Sequence, residues 1–317
     1  PEPFELQVRH VARITEAKYP NRDLAVQGLI RGEVDLLDDV QPWDVEPLAK
    51  QANVFVLPYV IPATHVIQFH PRSRYAQNRA LRRSLSLALD RSGLLSEYIL
   101  NRSITAQGIL TTAPYRSTHP GFNQTLEVPV EDPRLAISMS NAARKELGGD
   151  LPPLKFALAD PPNPPKVIEE LVAGWKRVGI DVEIVPSDLL TTASLESDSP
   201  PWDMVYRIVR IADPQVGLWP FLTFQDRPTV SALASLPAWL RQKLLLLDQA
   251  GDYETANDRL RELHQLLWAE AELIPLWEVR EHLAARKHLR GLVDPPMYFY
   301  QNVEQWRSLP WFPTEVE

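Results

Sequence analysis

The chain has 317 residues, enough for about two domains at a usual size of roughly 150 residues each. Lys and Arg number 33 against 41 Asp and Glu, and this net charge of −8 excludes a basic, phosphate-tracking face for nucleic acid as the main binding surface. The hydrophobic share of 44% and charged share of 23% exclude a disordered or collagen-like chain.

The counts of proline, glycine and cysteine narrow the function further. The sequence has 30 Pro and only 12 Gly, which leaves few positions for glycine-rich phosphate loops and disfavours a nucleotide-binding enzyme. The absence of cysteine removes disulfides, thiolate metal sites and cysteine nucleophiles together. Residues 1–3 lack a charged start followed by an apolar run, so any signal peptide is expected to have been removed before this numbering begins.

The first quarter of the chain predicts mixed strands and helices. Near-alternating apolar residues over 4–11 predict a strand. Asn21 is placed to cap a helix that stops at Gly32. Short apolar runs then predict strands at 34–37, 54–57 and 66–69.

The middle of the chain predicts helices with clear starts. Asn78 and Asp90 each precede apolar residues at helical spacing and are predicted N-caps. Residues 101–130 are polar and contain prolines, so they predict a long surface connection. Asp132 followed by proline predicts a helix over 133–147.

The remaining segments complete an α/β pattern without internal repeats. A strand at 154–159, a helix at 165–178 and a strand at 180–184 predict a βαβ unit. The later predicted elements are a strand at 204–211, a helix at 256–271, an extended segment at 273–279 and a polar, aromatic tail from 310.

Local catalytic and metal-binding motifs are absent from the sequence. The histidines form no HExxH pattern, and there is no G-x-S-x-G, phosphate-binding or dinucleotide-binding glycine motif. We therefore expect no metal, no cofactor and no catalytic residues. A hydrolase with dispersed residues remains an alternative, because catalytic triads are assembled in space rather than in sequence.

Acidic and aromatic groups offer weaker signals. Asp38 and Asp39 follow a predicted strand and are interpreted as solvated turn residues rather than cation ligands. An aromatic cluster surrounds the predicted strand at 204–211, where core packing is preferred over ligand binding. Its members are Trp202, Tyr206, Trp219, Phe221 and Phe224.

One stretch carries a resemblance to a known family. Residues 69–91 read FHPRSRYAQNRALRRSLSLALDR and resemble the signature of extracytoplasmic solute-binding proteins of family 5, the peptide/nickel class. In that signature a Phe-Asn strand end and a short spacer precede Val-Arg-x-Ala-Leu and Ala-x-Asp-Arg. The same order is kept by weaker matches at 32–36 (GEVDL), 132–148, 178–182 (VGIDV) and 271–276 (AELIPL).

The resemblance implies a type II periplasmic binding protein, in which two α/β lobes joined by a hinge close around a ligand. Family members are longer, so the chain is similar to their C-terminal part, without the first strands and the inserted small domain. The implied lobes are residues 1–70 with 292–317 for lobe I and 71–291 for lobe II.

The resemblance also implies a ligand site. Such proteins hold peptides largely through main-chain hydrogen bonds and fix the ammonium with a carboxylate, for which Asp213 is the matching candidate. The alternative, weighed evenly, is that Asp213 only starts a turn. Arg210 stands where the family often has an aromatic residue, which suggests an acidic or non-peptide ligand. His70 stands at the hinge in place of Asn, and Tyr206 and Trp219 complete the candidate ligand contacts.

The function implied by the resemblance is the ligand-capturing component of an ABC importer for peptides or similar small solutes. The resemblance implies export to the periplasm or the cell exterior, where any membrane anchor would belong to an N-terminal segment outside this chain. It also implies a monomer that works with a membrane permease and does not bind nucleic acid. The alternative is a ligand-sensing or interaction domain of a larger regulatory protein.

Overall fold

A computed structural model describes residues 10–103, 108–160, 165–191, 194–195, 197, 199–225 and 230–311. The strand predicted at 4–11 lies outside these residues except at its end. There, His10 forms an isolated antiparallel bridge with Arg307, and the Val11 N–H donates to the carbonyl of Trp306 at 2.9 Å. Within the described residues, no helix combines the length and the apolar character that a membrane crossing requires.

The secondary structure alternates between helices and strands along most of the chain. The helices are α1 (Arg22–Arg31), α2 (Val45–Ala49), α3 (Arg79–Leu87), α4 (Arg91–Leu94), α5 (Pro133–Leu147), α6 (Lys166–Arg177), α7 (Pro214–Thr223), α8 (Val230–Ser235), α9 (Ala238–Asp248) and α10 (Tyr253–Glu270), with a π-helical turn at Leu95–Ile99. The strands are β1 (Leu36–Val40), β2 (Val54–Pro58), β3 (Ala63–Phe69), β4 (Gly108–Leu110), β5 (Leu154–Leu158), β6 (Val182–Val185), β7 (Met204–Val209), β8 (Leu273–Val279), β9 (His282–Arg286), β10 (Leu289–Arg290) and β11 (Arg307–Ser308).

Contacts divide the chain into two compact units. The first unit comprises Pro1–Pro62, Leu100–Gln107 and Arg280–Glu317, and the second comprises Ala63–Ile99 and Gly108–Val279. The lobes implied by the resemblance divide instead after residues 70 and 291. The contact division therefore places β3 in the second unit and β9 in the first, and the functional lobes stay a prediction.

The first unit is built on a small antiparallel sheet in the order β1-β9-β2. One face of this sheet buries Leu29 of α1 and Leu48 of α2 together with Val40, Val54 and Ala284. α1 begins and ends as predicted. The Asn21 side chain accepts from Leu24 N–H at 3.0 Å, and Gly32 closes the helix at φ 80°, a left-handed conformation that suits glycine.

The second unit is built on a larger sheet in the order β4-β8-β3-β7-β5-β6. β5 pairs in parallel with both β6 and β7, while β3 pairs antiparallel with β7 and β8. The predicted βαβ unit is confirmed as β5-α6-β6. A mixed sheet with helices packed on it places the described chain in the predicted α/β class.

Trp175 of α6 anchors the helix layer of the second unit. Its indole is fully buried, lies edge-on to Phe156 at a centroid distance of 5.3 Å, and donates to the Leu85 carbonyl at 3.0 Å. We expect Trp175→Phe to lower the free energy of unfolding by about 2 kcal/mol, because it loses both a buried hydrogen bond and side-chain volume. Urea denaturation monitored by circular dichroism checks this, and an unchanged midpoint would contradict it.

Several elements differ from the sequence predictions. β1 spans Leu36–Val40 rather than 34–37, so Asp38 and Asp39 lie within the strand at an irregularity in its register, not in a turn after it. Asp39 pairs with Arg22 at 2.9 Å, and the Tyr59 hydroxyl donates to Asp38 at 2.6 Å. The helices α2, α7, α8 and α9 and the strands β4, β9, β10 and β11 were not predicted. The segment 101–130, predicted as a surface connection, contains β4 and buries residues such as Tyr115 and Phe122 in the core.

Candidate functional site

The C-terminal end of β7 leads directly into Arg210 and Asp213, two of the five predicted ligand residues, at one edge of the second unit's sheet. β7 lies between β3 and β5, and its parallel pairing with β5 brings the C-terminal ends of both strands to the same edge. In open α/β sheets, ligands commonly bind at this edge. α7 follows at once, with Asp213 as its N-cap and Pro214 in its first turn.

A cavity of about 330 Å³ opens at this edge of the sheet. Its walls come from the end of β7 and from the last turn of α7 and the residues after it. The lining residues are Arg207, Ile208, Val209, Arg210, Ile211, Pro220, Phe221, Phe224 and Gln225.

Arg207 is the most constrained polar side chain of this cavity. Its guanidinium carbon lies 5.5 Å and 5.6 Å from the ring centroids of Phe221 and Phe224, within the range of cation–π attraction. It also donates to the Gln68 side-chain oxygen at 3.1 Å. The Gln68 amide nitrogen in turn donates to the Phe221 carbonyl at 2.8 Å, which fixes the orientation of the amide.

Arg210 and Asp213 are both exposed; Arg210 lines the cavity, whereas Asp213, at the start of α7, is not among the lining residues. The Asp213 carboxylate accepts from the Gln215 N–H at 2.9 Å, so the turn-starting role considered for it from the sequence is present in the structure. The positive charge of Arg210 acts on His65, a residue of the neighbouring strand β3. Burial first, and the positive charge of Arg210 second, lower the pKa of His65 to about 3.

Tyr206 and His70 are placed differently from Arg210 and Asp213. The Tyr206 side chain is fully buried, its hydroxyl contacts His65 Nδ1, and burial raises its pKa well above the ordinary value. His70 is also fully buried, with Nδ1 accepting from Arg72 N–H at 3.1 Å and Nε2 at 3.1 Å from the Ser194 carbonyl.

The ligand contacts predicted for His70 and Tyr206 stay predictions, and both side chains are buried in this structure. The rings of His70 and Tyr206 offer no surface to a solute in this structure, because each is enclosed by packed neighbours such as Trp202, which lies 4.4 Å from His70. Trp219 is half-buried against the core cluster of the second unit. Its indole nitrogen is buried and has no hydrogen-bond partner among the described residues.

The aromatic cluster is mainly core, as the sequence analysis preferred. Trp202, Tyr206 and Phe221 are all buried, with at most 5% of their surface exposed. Arg207 and Gln68 were not predicted as members of the site. One available signal was the presence of arginines at positions 207 and 210 in an otherwise apolar predicted strand. No such signal exists for Gln68, because its partner lies 139 residues away.

The described residues contain no group of at least three His, Cys, Asp or Glu side chains placed to hold a metal ion. The surface groups of the site can therefore offer charge, hydrogen bonds and apolar contact to a solute.

An α/β architecture with a charged cavity at the sheet edge is typical of a binding protein. The chain belongs to a family of such proteins: the family model for bacterial extracellular solute-binding proteins, family 5 Middle, matches residues 6–228. The resemblance identified in the sequence is thereby confirmed. The family is defined by solute binding and transport rather than catalysis, in agreement with the prediction that the protein is not an enzyme.

Solved structures of similar fold come from several bacteria. The chain aligns with the periplasmic binding protein DppA of Helicobacter pylori in complex with the peptide STSA, with a TM-score of 0.73, 17% identity and coverage of 92% of this chain and 56% of that one. For the oligopeptide-binding protein AppA of Bacillus subtilis in complex with a nonapeptide, the TM-score is 0.69 at 16% identity, covering 91% and 58%.

A third structure has a different ligand. It is NikA of Staphylococcus aureus in complex with Ni(L-His)2, with a TM-score of 0.67, 15% identity and coverage of 90% and 60%. The chain thus spans 56% to 60% of the length of these structures. At these identities the similarity shows the fold, which confirms the predicted periplasmic-binding-protein type. A search of curated proteins finds no match, and none of the comparisons supports the alternative of a regulatory domain.

Proposed function

We propose that the chain belongs to the substrate-binding component of an ABC importer, and that it binds peptides or similar small solutes outside the cytoplasm. The family match over residues 6–228 carries this proposal. The cavity at the end of β7 supports it, because charged groups at its rim and apolar walls inside suit a solute with both polar and apolar parts. The protein would act as a monomer that passes its solute to a membrane permease.

Within this proposal, Asp213 and Arg210 face the solute directly, and Trp219 contributes apolar surface beside them. The other two predicted ligand residues, Tyr206 and His70, are buried in this structure. Tyr206 lies within β7, and His70 lies at the N-terminal end of β7, where its N–H donates to the Asp203 carbonyl at 2.8 Å. Asp213 is proposed to pair with an ammonium group of the solute in addition to capping α7. A carboxylate can do both, because its oxygens together accept several hydrogen bonds.

A thermal-shift screen with mixed di- to pentapeptides and Ni²⁺ tests the proposal. A solute at 100 times its Kd should stabilise the folded chain by about 2.7 kcal/mol and raise the melting temperature by several degrees. If no solute of any class raises the melting temperature, the proposal that this chain binds solute fails.

Asp213→Asn separates the two roles of Asp213. Asparagine caps helices about as well as aspartate but carries no charge, so the variant should fold normally and lose the peptide-dependent shift. Asp252→Asn is the matched control, because Asp252 caps α10 by accepting from Thr255 N–H at 2.8 Å and does not follow β7 as Asp213 does. A peptide shift that survives in Asp213→Asn would reduce Asp213 to a helix cap.

A further inference from the structure

Strand β1 has a paired strand on one side only. In the sheet order β1-β9-β2, β9 pairs with β1, and no other strand of the described residues pairs with it. An unpaired strand edge presents backbone N–H and C=O groups that can pair with another extended chain, and native proteins usually cover or disrupt such an edge. The outer edge of β1 is therefore a candidate surface for a further strand.

A cavity of about 970 Å³ lies along this outer edge, and all of its lining residues belong to the first unit. Leu37 packs on one face of the small sheet with Leu29, whereas Leu36 packs on the other face with Leu283. Because Leu36 and Leu37 both line the cavity, it borders the edge of β1 rather than one face. The opposite edge of β1 carries β9, so the cavity lies where a fourth strand of this sheet would lie.

The pairing of β1 directs some of its backbone groups into this cavity. Arg286 N–H donates to the Asp35 carbonyl at 2.9 Å, so the backbone groups of Asp35 point toward β9. Backbone groups of successive strand residues point alternately to the two sides, so those of Leu36 point away from β9. The Asp38 carbonyl points the same way, because the lining residue Arg22 donates to it at 3.1 Å. The N–H and C=O of Leu36 are therefore placed to pair with an added strand.

The other walls of the cavity present side chains and a buried donor. Lining residues 13–18 form neither helix nor strand. The Tyr19 hydroxyl donates to Glu33 at 3.3 Å, and the Tyr300 hydroxyl donates to Glu16. Trp306 also lines the cavity, is 3% exposed, and has a buried indole nitrogen without a hydrogen-bond partner among the described residues. A buried donor without an acceptor is costly, so a chain that brings a carbonyl to it gains a hydrogen bond.

We infer that a further extended polypeptide segment pairs with the outer edge of β1 and fills this cavity, with one of its carbonyls accepting from the indole of Trp306. The occupant is a strand of the same polypeptide, from the part of a family 5 protein that has no counterpart in this chain. That part is large, since the alignment with DppA covers 92% of this chain but 56% of DppA. The inference concerns the first unit and does not depend on solute binding at the end of β7.

A capped strand peptide tests the inference. The probe is Ac-Lys-Val-Thr-Val-Thr-Val-Lys-NH2, which lacks the free ammonium that Asp213 is proposed to bind. Calorimetric titration should give a Kd of about 0.1–1 mM, because a strand supplied within one polypeptide acts at a millimolar effective concentration and needs no tighter binding. The matched control peptide carries an N-methyl group on every valine and threonine, so it cannot donate to a strand edge and should bind about tenfold more weakly or not at all.

Hydrogen–deuterium exchange read residue by residue locates the bound probe. At five times its Kd, the probe should slow exchange of the Leu36 N–H about fivefold, because the free fraction of the edge falls by about that factor. The Leu37 N–H should change little, since Leu37 lies opposite Ala284 and directs its backbone groups toward β9.

Two tryptophan variants test the indole contact. Trp306→Phe keeps an aromatic ring but removes the N–H, so it should weaken probe binding about fivefold, the value of a typical hydrogen bond. Trp277→Phe is the matched control, because Trp277 also has a buried indole nitrogen without a partner among the described residues but belongs to the second unit. It should bind the probe as the parent chain does, and circular dichroism checks that both variants fold.

The outcomes distinguish the possible occupants of the edge. Failure of the probe to bind, equal binding of the methylated control, or unchanged exchange at Leu36 would overturn the inference. Slow exchange at Leu36 that depends on protein concentration without any probe would assign the edge to a second copy of the chain. A Kd below about 1 µM would point to a free peptide as the occupant, since a strand of the same polypeptide needs no such affinity. Equal effects of the two tryptophan variants would overturn the indole contact.

Discussion

Arg82→Met is expected to lower the free energy of unfolding by about 3–5 kcal/mol, the usual cost of removing one partner of a buried ion pair. The Arg82 side chain is 4% exposed and pairs with Glu272, which is 13% exposed, at 2.8 Å. Without the guanidinium, the Glu272 carboxylate is left buried and uncompensated. Urea denaturation of the variant and the parent chain measures the difference.

The expected effect is large because the Arg82 guanidinium donates hydrogen bonds to five different residues. Its guanidinium donates to the Glu272 carboxylate and to the backbone carbonyls of Ala76, Gln77, Glu270 and Ala271. These bonds join the start of α3 to the turn between α10 and β8. Burial raises the pKa of Glu272, and the positive charge of Arg82 opposes this shift, so removing Arg82 leaves burial unopposed.

Arg79→Met, on the same helix, is the matched control. Arg79 pairs with Glu270 at 3.0 Å, but its side chain is 48% exposed, so solvent screens the pair and its loss should cost about 1 kcal/mol or less. Equal losses for the two variants would contradict the assignment of Arg82 as the central connection. Combining Arg82→Met with Glu272→Leu should restore part of the stability, because it removes the stranded charge.

Helix starts were predictable because capping depends on neighbours in the sequence. Asn21, Asn78, Asp90 and Asp132 were all predicted as N-caps, and each accepts a hydrogen bond from a backbone N–H three residues later at 2.9–3.0 Å. The same dependence on neighbouring residues explains why α7 was not predicted as a helix. Gly217 and Pro220 lie inside that helix and signal a turn, whereas packing of its apolar residues against α9 and α10 keeps it helical.

Elements and contacts that depend on distant residues were not predictable. β9 exists because it pairs with both β1 and β2, for example through Ala284 opposite Leu37 and Val56, and its own five residues show no strand pattern beyond a short apolar run. Arg207 was missed for the same reason, since its role depends on Gln68 and Phe221 reaching it across the sheet.

The matched stretches at 69–91 and 271–276 contain charged residues that stabilise the fold. Arg82, Arg91 and Glu272 lie in the matched stretches and are all mostly buried. Arg91 donates to the Pro129 carbonyl at 2.9 Å and to the Ser86 hydroxyl at 2.7 Å, and burial lowers its pKa to about 10. Such residues identify the fold because they hold it together, and therefore they do not specify the ligand.

Acidification from pH 7 to pH 4 is expected to destabilise the chain strongly, through His65 and His264. Burial lowers the pKa of His264 to about 4, and burial with the charge of Arg210 lowers that of His65 to about 3. Between about pH 6.5 and pH 4, the folded chain holds both rings largely neutral, whereas the unfolded chain protonates them. The unfolded state therefore binds more protons in this range, and stability falls as the pH falls.

The geometry around His264 shows why its protonation is opposed. Its Nδ1 accepts from Asn123 N–H at 3.1 Å, and its Nε2 lies 3.0 Å from the Thr112 carbonyl. A proton on Nδ1 would replace that acceptor with a buried donor facing another donor. His65 and His264 should each contribute a loss on the order of 3 kcal/mol by pH 4, since one pKa unit corresponds to about 1.4 kcal/mol.

Urea denaturation at pH 7, 5.5 and 4 measures the expected loss, and His264→Gln tests its origin. Glutamine keeps a donor for the Thr112 carbonyl and does not titrate, so the variant should be less stable than the parent at pH 7. The deficit should shrink or reverse at pH 4, where the parent bears the cost of keeping His264 unprotonated. A stability difference that stays constant across this range would show that His264 does not couple folding to pH, and the same comparison with His65→Gln isolates the other half of the effect.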